Sequence, residues 1–222
     1  AADSGVAVEG GFGNETITNA GAVTGNIRVS GGSNAFINQS TGVFNTGDLI
    51  DLSDSNGLPG GNRLTNAGRL SPGGDAMIET VTLSGDLELQ ADGVFAIDIQ
   101  SDGSSDRVEV AGETTLGGTL NLNGLGLLTA FTEGRDFTII TSAEGVDGAF
   151  GRLVDNVPDL VAEVTVEDGG MGDEFVLVTL VPGMDPEPDS QSDKSIHPNA
   201  TQAISDTARN LNSLLQDRAR TR

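Results

Sequence analysis

The sequence predicts an all-β fold built as a β-solenoid, in which short strands lie in successive layers on top of one another. Three observations predict it. Short apolar segments alternate with glycine and asparagine, Asn-x-Gly phrases recur roughly every twenty residues, and only 36% of the 222 residues are apolar. A rounded core for a chain of this length needs more apolar residues, whereas a narrow core that the chain crosses repeatedly needs fewer.

Residues 1–75 are predicted to form the first, Gly/Asn-rich layers of this solenoid. Each apolar segment here is too short for a helix and contains branched or aromatic residues, which favour strands. The predicted strands are 27–29, 35–37, 43–44, 49–52 and 63–65.

The phrases ITNAG, VFNTG and LTNAG place Asn19, Asn45 and Asn66 directly after apolar segments. Asn and Gly tolerate the left-handed conformation that turns a chain sharply. Asn19 and Asn38 are 19 residues apart, and Asn45 and Asn66 are 21 apart. We therefore expect asparagines at equivalent corners to hydrogen-bond from layer to layer. The alternative is that these phrases mark tight antiparallel hairpins.

Residues 76–181 predict longer, more apolar layers in which alternate residues face the core and the water. The expected water face includes Glu88, Asp98, Glu109 and Asn121. The expected core face comprises Leu87, Leu89, Phe95, Ile97, Ile99, Val108, Val110, Leu120 and Leu122. Because one thin layer buries too few side chains to fold alone, this more apolar block is expected to nucleate folding.

The C-terminal quarter of the chain predicts three further elements. Strands 160–166 and 175–181 are expected to form an antiparallel hairpin that caps the solenoid. Segment 182–199 is rich in Pro, Asp and Ser, which predicts a linker. Residues 200–222 predict a short amphipathic α-helix, because apolar residues recur every three or four positions.

Charge and cysteine content exclude several classes of partner and site. The chain has 33 acidic and 11 basic residues and a net charge of −22, so it is expected to repel nucleic acid and anionic lipid. It has no cysteine, which excludes disulfides and thiolate metal sites.

Four phrases resemble bacterial autotransporter passenger domains, and they occur in the order found in that family. DRVEVAGETTLGGTLNL at 106–122 is similar to the sequence near the C-terminal end of such passengers, and FTIITSAEGVDGAFGRL at 137–153 to the phrase that follows it. GRLSPGG at 68–74 is similar to upstream layers. NATQAISDTARNLNSLL at 199–215 resembles the helix that threads the translocation pore.

The resemblance implies a right-handed parallel β-helix whose C-terminal layers assist folding during type V secretion. It implies display at the cell surface, or release outside a Gram-negative bacterium, after passage through the periplasm and outer membrane. The implied partners are the chain's own outer-membrane β-barrel, whose strand pattern these 222 residues lack, and an unidentified host or environmental ligand. Since the sequence opens at Ala1 rather than at methionine, we expect that a signal peptide has been removed.

The sequence predicts no catalytic, cofactor-binding or metal-binding residue, and therefore a protein that is not an enzyme. The only histidine, His197, stands in the predicted linker, and no Gly-x-Ser-x-Gly phrase accompanies it. Glycan binding by the flank of the solenoid has no localised signature, because the eight phenylalanines fall mostly at core positions.

Two alternatives to a non-enzymatic, adhesion-supporting passenger stem remain open. One is a calcium-stabilised adhesive module: GGFGNETIT at 10–18 nearly matches a calcium nonapeptide with Glu15 in the Asp place, and Asp102 and Asp106 flank a short turn. A polar turn without a cation also explains the second pattern. The other alternative is a polysaccharide lyase or hydrolase, with acids at 48, 51 and 54 and Arg63 or Arg69 nearby.

Overall fold

The computed structural model describes residues 5–29, 31–53, 61–126, 134–157 and 160–182. They form eighteen strands, with 63% of these residues in strands and none in a helix, so the predicted all-β class is confirmed. Accordingly, no described segment is a helix that could cross a lipid bilayer. The predicted helix 200–222 and, beyond its first residue, the predicted linker 182–199 lie outside the described residues.

Six parallel strands form the smaller of two sheets. They are β2 (Thr16–Asn19), β4 (Ala35–Asn38), β6 (Arg63–Asn66), β9 (Asp86–Leu89), β12 (Thr114–Leu116) and β15 (Val146–Gly148). Their order across the sheet follows their order in the chain, and each pairs in parallel with the next. Phe36 on β4 and Leu64 on β6 pair in register, and both are fully buried in the core.

Twelve strands form the larger, mixed sheet. They are β1 (Val6–Glu9), β3 (Ala22–Arg28), β5 (Val43–Asp51), β7 (Arg69–Ser71), β8 (Thr80–Ser84), β10 (Val94–Gln100), β11 (Arg107–Val110), β13 (Thr119–Leu125), β14 (Arg135–Ser142), β16 (Arg152–Asp155), β17 (Leu160–Gly170) and β18 (Asp173–Pro182). The main path runs β16-β13-β10-β7-β5-β8-β11-β14-β18-β17, and β3 pairs with β1 and β5 beside it.

The chain visits the two sheets in a fixed order. Up to β14, one strand of the smaller sheet is followed by one or two strands of the larger sheet, and we call this group a strand set. The set β6, β7, β8 precedes the set β9, β10, β11, and each strand pairs in parallel with its equivalent in the next set. Strands adjacent in the chain within a set therefore do not form hairpins with each other.

β5 corrects one prediction in this region. Segments 43–44 and 49–52 are predicted as separate strands, but the structure has one nine-residue strand, Val43–Asp51. Its first residues pair with β7 and its last residues with β8. A single strand thus covers the positions that two strands occupy in the following set. The prediction divided it because residues 45–48 between the two apolar segments are not apolar.

A single apolar core fills the space between the sheets. All nine residues of the expected core face in 76–181 are buried, which confirms the alternation. Asp98 is the exception on the other face: it was expected in water but is only 5% exposed. The loop between β7 and β8 covers it, since the Met77 N–H donates to Asp98 Oδ2 at 2.9 Å.

The predicted asparagine ladder is present, with one member corrected. Asn19 Nδ2 donates to Asn38 Oδ1 at 2.9 Å, and Asn38 Nδ2 donates to Asn66 Oδ1 at 2.7 Å. Asn45 was expected at an equivalent corner, but it lies within β5 and pairs with Ser71. The flanking strands belong to different sheets, so the hairpin alternative is wrong for ITNAG and LTNAG.

The predicted C-terminal hairpin is also present and is longer than expected. β17 and β18 pair antiparallel, and β18 pairs antiparallel with β14 on its other side. Residues 167–173 were expected as a loop, yet most of them continue the strands. The turn itself is Met171 and Gly172, with φ of 59° and 99°, the left-handed values that two-residue hairpins require.

Candidate functional site: a polar cleft on the larger sheet

A cleft of about 330 Å³ lies on the larger sheet where β10, β13 and β16 run side by side. We call it the sheet cleft. Residues that alternate away from the core form its floor, since side chains at even spacing along a strand share one face. The floor and walls include Arg69, Asp75, Asp98, Asn121, Asn123 and Asn156.

A chain of hydrogen bonds fixes the polar floor. Asp98 on β10 pairs in register with Asn123 on β13, which brings their side chains together. Asn123 Nδ2 donates to Asp98 Oδ1 at 2.7 Å, and Asn156 Nδ2 donates to Asn123 Oδ1 at 2.8 Å. Asn156 Oδ1 in turn accepts the Gly124 N–H at 2.7 Å. Each side chain is thereby held in one orientation, while the amides keep hydrogen-bonding capacity for a ligand.

The loop between β7 and β8 forms one wall of the sheet cleft. Gly73, Gly74 and Ala76 all have positive φ, of 65°, 86° and 60°. Ala76 is the notable one, because a side chain makes this conformation costly by about 1–2 kcal/mol. At the same wall Arg69 pairs with Asp75 at the surface. The two glycines adopt this conformation readily, whereas at Ala76 the path is held by the hydrogen bonds of Met77 and Glu79 and by the Arg69–Asp75 ion pair.

A second carboxyl group, Asp106, lies behind the floor and is fully buried. Its oxygens accept the N–H groups of Glu79 at 2.8 Å and Asp98 at 2.7 Å. Burial raises the pKa of Asp106 to about 8, which outweighs the opposite effect of these two hydrogen bonds, and the nearby Asp98 and Glu79 carboxylates raise it further. Asp106 is thus mostly protonated at neutral pH.

Asn121 differs from its neighbours on the floor. It lies on β13 beside Ala96, with which it pairs in register, and it is half-buried. Within the described residues its side-chain amide has no hydrogen-bond partner. A half-buried amide with both donor and acceptor groups can bind a polar ligand in the sheet cleft without breaking an existing bond.

A second cleft, of about 400 Å³, lies beside the β17–β18 turn and is acidic. Glu113, Asp147, Asp168 and Glu174 line it. Glu174 is already engaged, because its Oε2 accepts the Val146 N–H. Within the described part of the chain, no three His, Cys, Asp or Glu side chains are arranged to hold a metal ion.

The acids considered as cation ligands do not converge. Asp102 is exposed, and its Oδ1 accepts hydrogen bonds from the Ser104 N–H at 2.9 Å and from the Ser104 hydroxyl at 2.6 Å. Both bonds lower the pKa of Asp102, and the bond from the hydroxyl has the larger effect. Asp106 points instead to the buried amides behind the sheet cleft. Residues 101–102 form a turn, as the polar-turn alternative expects, and the two carboxylates are engaged with different partners. Glu15 stands at the start of the smaller sheet, where its N–H donates to Asn34 Oδ1 at 3.0 Å.

The acid and arginine cluster considered for a polysaccharide enzyme is also dispersed among the described residues. Asp48 accepts from Asn26 Nδ2 at 2.7 Å, and Asp51 accepts from Ser53. Arg63 pairs with Glu88 at 3.3 Å, and Arg69 pairs with Asp75. Two further residues of these hypotheses, Asp54 and His197, lie outside the described residues.

Sequence reasoning missed the asparagines at the other end of the smaller-sheet strands. Asn34 and Asn62 are 2% and 0% exposed, and the Asn34 N–H donates to Asn62 Oδ1 at 2.6 Å. The signal was available in SNAFIN and GNRLTN, where asparagines four residues apart bracket three residues with an apolar one at the centre. It also missed Asn123 and Asn156, which no local pattern distinguishes.

No protein-family model matches this chain, and no curated protein matches it either.

Proposed function

We propose that this chain is a right-handed parallel β-helix that forms the C-terminal stem of a non-enzymatic autotransporter passenger, displayed on or released from the surface of a Gram-negative bacterium. Its partner in secretion is its own outer-membrane β-barrel. The stem supports adhesion or another surface interaction, and its C-terminal strand sets nucleate folding as the chain leaves the barrel. The observation that supports this most directly is the repeated strand set that ends in an antiparallel hairpin.

The repeat supports the β-helix. Up to β14, successive strand sets pair in parallel at every equivalent strand, and the chain passes from one sheet to the other between paired strands. The last pairing of this series, β14 with β18, is antiparallel. Connections between parallel strands are almost always right-handed, because right-twisted strands pack back onto the sheet only in that way. Each set buries few side chains and depends on its neighbours, which suits folding that proceeds set by set.

The gradient of apolarity along the molecule supports a C-terminal nucleus. At the ladder position of Asn19, Asn38 and Asn66, the next strand has Leu89, which is 3% exposed. Towards the hairpin, β14 and β18 contribute a dense group of fully buried residues, comprising Phe137, Ile139, Ile140, Val176, Val178 and Leu180. Burial of this group is worth about 1.5–3 kcal/mol per side chain, so the C-terminal end can fold before the remainder.

Two matched isoleucine variants test the proposal. The chain is fused to an outer-membrane β-barrel translocator in Gram-negative cells, and surface display is measured by protease digestion of intact cells. Ile140→Ala and Ile50→Ala remove the same atoms from buried sites in the same sheet, at 0% and 1% exposure. Each costs roughly 2–5 kcal/mol of stability. We expect Ile140→Ala to reduce display at least about threefold more than Ile50→Ala, because mutations in a nucleus slow folding.

Equal losses of display in the two variants, or a larger loss with Ile50→Ala, would contradict C-terminal nucleation. Failure of the unsubstituted chain to reach the surface, while the same translocator displays a known passenger, would contradict the passenger assignment itself. Staining of permeabilised cells provides the control for expression level.

A further inference from the structure

We propose that the sheet cleft is a binding site for a neutral saccharide, with Asn121 and Asn123 making the main contacts. This assigns a ligand class to a site on the stem and does not depend on how the chain is secreted. The juxtaposition that supports it is a fixed row of amide and carboxylate groups beside the Asn121 amide, which has no hydrogen-bond partner among the described residues.

The size of the sheet cleft suits a small ligand. Its volume of about 330 Å³ is at the lower end of the range of small-molecule sites, which is roughly 300–1,000 Å³. Ala96 and Val154 add apolar surface between the polar groups. A sugar ring presents both kinds of surface, since hydroxyl groups surround its edge and C–H groups cover its faces.

The polar groups match hydroxyl groups in particular. A hydroxyl both donates and accepts a hydrogen bond, and an Asn side chain offers both functions within one planar group. Asn121 has both available, because within the described chain its amide bonds to nothing. Asn123 keeps one N–H and one lone pair after its bonds to Asp98 and Asn156. The Asp98 carboxylate is held in one orientation by the N–H donors of Met77 and Asn123, so its remaining lone pairs have a fixed direction before a ligand arrives.

The charge of the sheet cleft selects against anionic ligands. Asp75, Asp98 and Asp155 line it, and the one basic residue among its described lining, Arg69, is already paired with Asp75. The whole chain adds a net charge of −22. A phosphate, sulfate or uronic acid would therefore be repelled. A cationic ligand would have to compete with the N–H donors that Asp98 and Asp155 already accept and with the Arg69 guanidinium on Asp75, which favours a neutral polyol.

The strained wall gives the cleft a defined shape. Ala76 adopts φ of 60° and lines the cleft, so its backbone strain is located at the proposed site. Strain of this kind persists where the surrounding structure over-determines the conformation, and it is concentrated at ligand sites. A loop held in this way loses little conformational entropy when a ligand binds.

The test is direct binding to the purified chain, which separates this proposal from the display experiment. Isothermal titration calorimetry is performed with neutral trisaccharides (maltotriose, cellotriose and mannotriose), with anionic trigalacturonate and with a cationic glucosamine trimer. We expect binding by at least one neutral trisaccharide and none by trigalacturonate. Asn121→Ala should weaken that binding about tenfold, the usual effect of one lost hydrogen bond to a ligand.

Asn45→Ala is the matched control. Asn45 is half-buried on β5 of the same sheet, forms no side-chain hydrogen bond within the described residues and does not line the sheet cleft. It should leave binding unchanged. Three outcomes would overturn the proposal: no neutral trisaccharide binds at millimolar concentration, only a charged trisaccharide binds, or Asn45→Ala weakens binding as much as Asn121→Ala does.

Discussion

Buried asparagines align neighbouring strand sets at the level of single residues. Asn38 is fully buried, and besides its two asparagine neighbours it donates to the Arg69 carbonyl at 3.0 Å. Its carboxamide therefore joins three successive strands of the smaller sheet and the start of β7. A shift of the chain by one residue would leave these groups without partners, and buried polar groups without partners cost about 1–3 kcal/mol each.

Replacing Asn38 by alanine should destabilise the protein strongly. The substitution leaves the Asn66 Oδ1 and the Arg69 carbonyl without this donor and opens a cavity. We expect the free energy of unfolding to fall by roughly 3 kcal/mol in urea titrations. Asn45→Ala, which breaks no side-chain hydrogen bond within the described residues, should change it by less than about 0.5 kcal/mol. A similar loss in both variants would show that the ladder adds nothing.

Asp106 should make stability depend on pH. Its pKa is about 8 in the folded state and near the ordinary 3.8 when unfolded. Below pH 4 both states hold the proton, and the stability is fully present. Between about pH 4 and pH 8 only the folded state holds it, so the free energy of unfolding falls as pH rises, by up to about 1.4 kcal/mol per pH unit.

Asp106→Asn should remove the contribution of this carboxyl group to the fall in the free energy of unfolding between pH 4 and pH 8. The amide leaves one of the two buried N–H donors without an acceptor, so the variant should be about 1–3 kcal/mol less stable at pH 5. By pH 8 the difference should vanish or reverse, because the wild type loses about 4 kcal/mol over these three pH units. Urea unfolding at both pH values measures this. Asp102→Asn is the control, because that exposed carboxylate has a lowered pKa and its neutralisation cannot remove a decline between pH 5 and pH 8. Parallel pH profiles for wild type and Asp106→Asn would refute this explanation.

At the scale of elements, glycines allow the turns of one strand set to lie directly on those of the preceding set. Gly118, between β12 and β13, has φ of 68°, and a Cβ there would lie 2.3 Å from the Gly93 carbonyl oxygen. Gly68 shows the same close approach, since a Cβ would lie 2.2 Å from the Gly42 oxygen. These contacts are between backbones, which have little freedom to move apart because ladder hydrogen bonds hold both sides.

Gly118→Ala should therefore be far more damaging than the same change at Gly61. Gly61 has a similar φ of 78°, but a Cβ there meets no atom of the described residues within 4 Å. The left-handed conformation costs alanine about 1–2 kcal/mol at both positions, and only Gly118 adds overpacking of about 1–3 kcal/mol. We expect thermal unfolding to show a melting temperature lower in Gly118→Ala than in Gly61→Ala by roughly 4 °C or more. Equal shifts would mean that the turns do not rest on one another.

For the whole molecule, electrostatic repulsion opposes the compact state. The chain has 33 acidic residues against 11 basic ones, and the ion pairs Arg63–Glu88, Arg69–Asp75 and Arg107–Glu109 all have partly exposed side chains. Exposed pairs of this kind contribute about 0–1 kcal/mol each. They therefore do not offset the repulsion among the remaining carboxylates.

Added salt should stabilise the protein by screening this repulsion. Raising sodium chloride from about 10 mM to about 150 mM shortens the screening length from about 30 to about 8 Å. We expect the melting temperature to rise by roughly 2–4 °C. Choline chloride should have the same effect, since it screens without supplying a coordinating metal ion. A melting temperature that is independent of salt would indicate that the acids are too far apart to repel one another.

The sequence by itself determined the features that depend on local chemistry. Alternation of apolar and polar residues predicted the strands and the core face, because side chains along a strand point to opposite sides. The phrases ITNAG and LTNAG predicted the ladder through Asn19 and Asn66, because one residue type at equivalent corners can bond to its own kind. The long apolar strands near the C-terminus predicted the hairpin.

Only the tertiary structure decided which polar residues meet. Asp98, Asn123 and Asn156 lie 25 and 33 residues apart in the chain, and their contact depends on the register between parallel strands. The burial of Asp98 and Asp106 depends on a loop that crosses the sheet from another strand set. Register and loop path arise from the sum of many weak contacts between distant segments, so no local pattern specifies them.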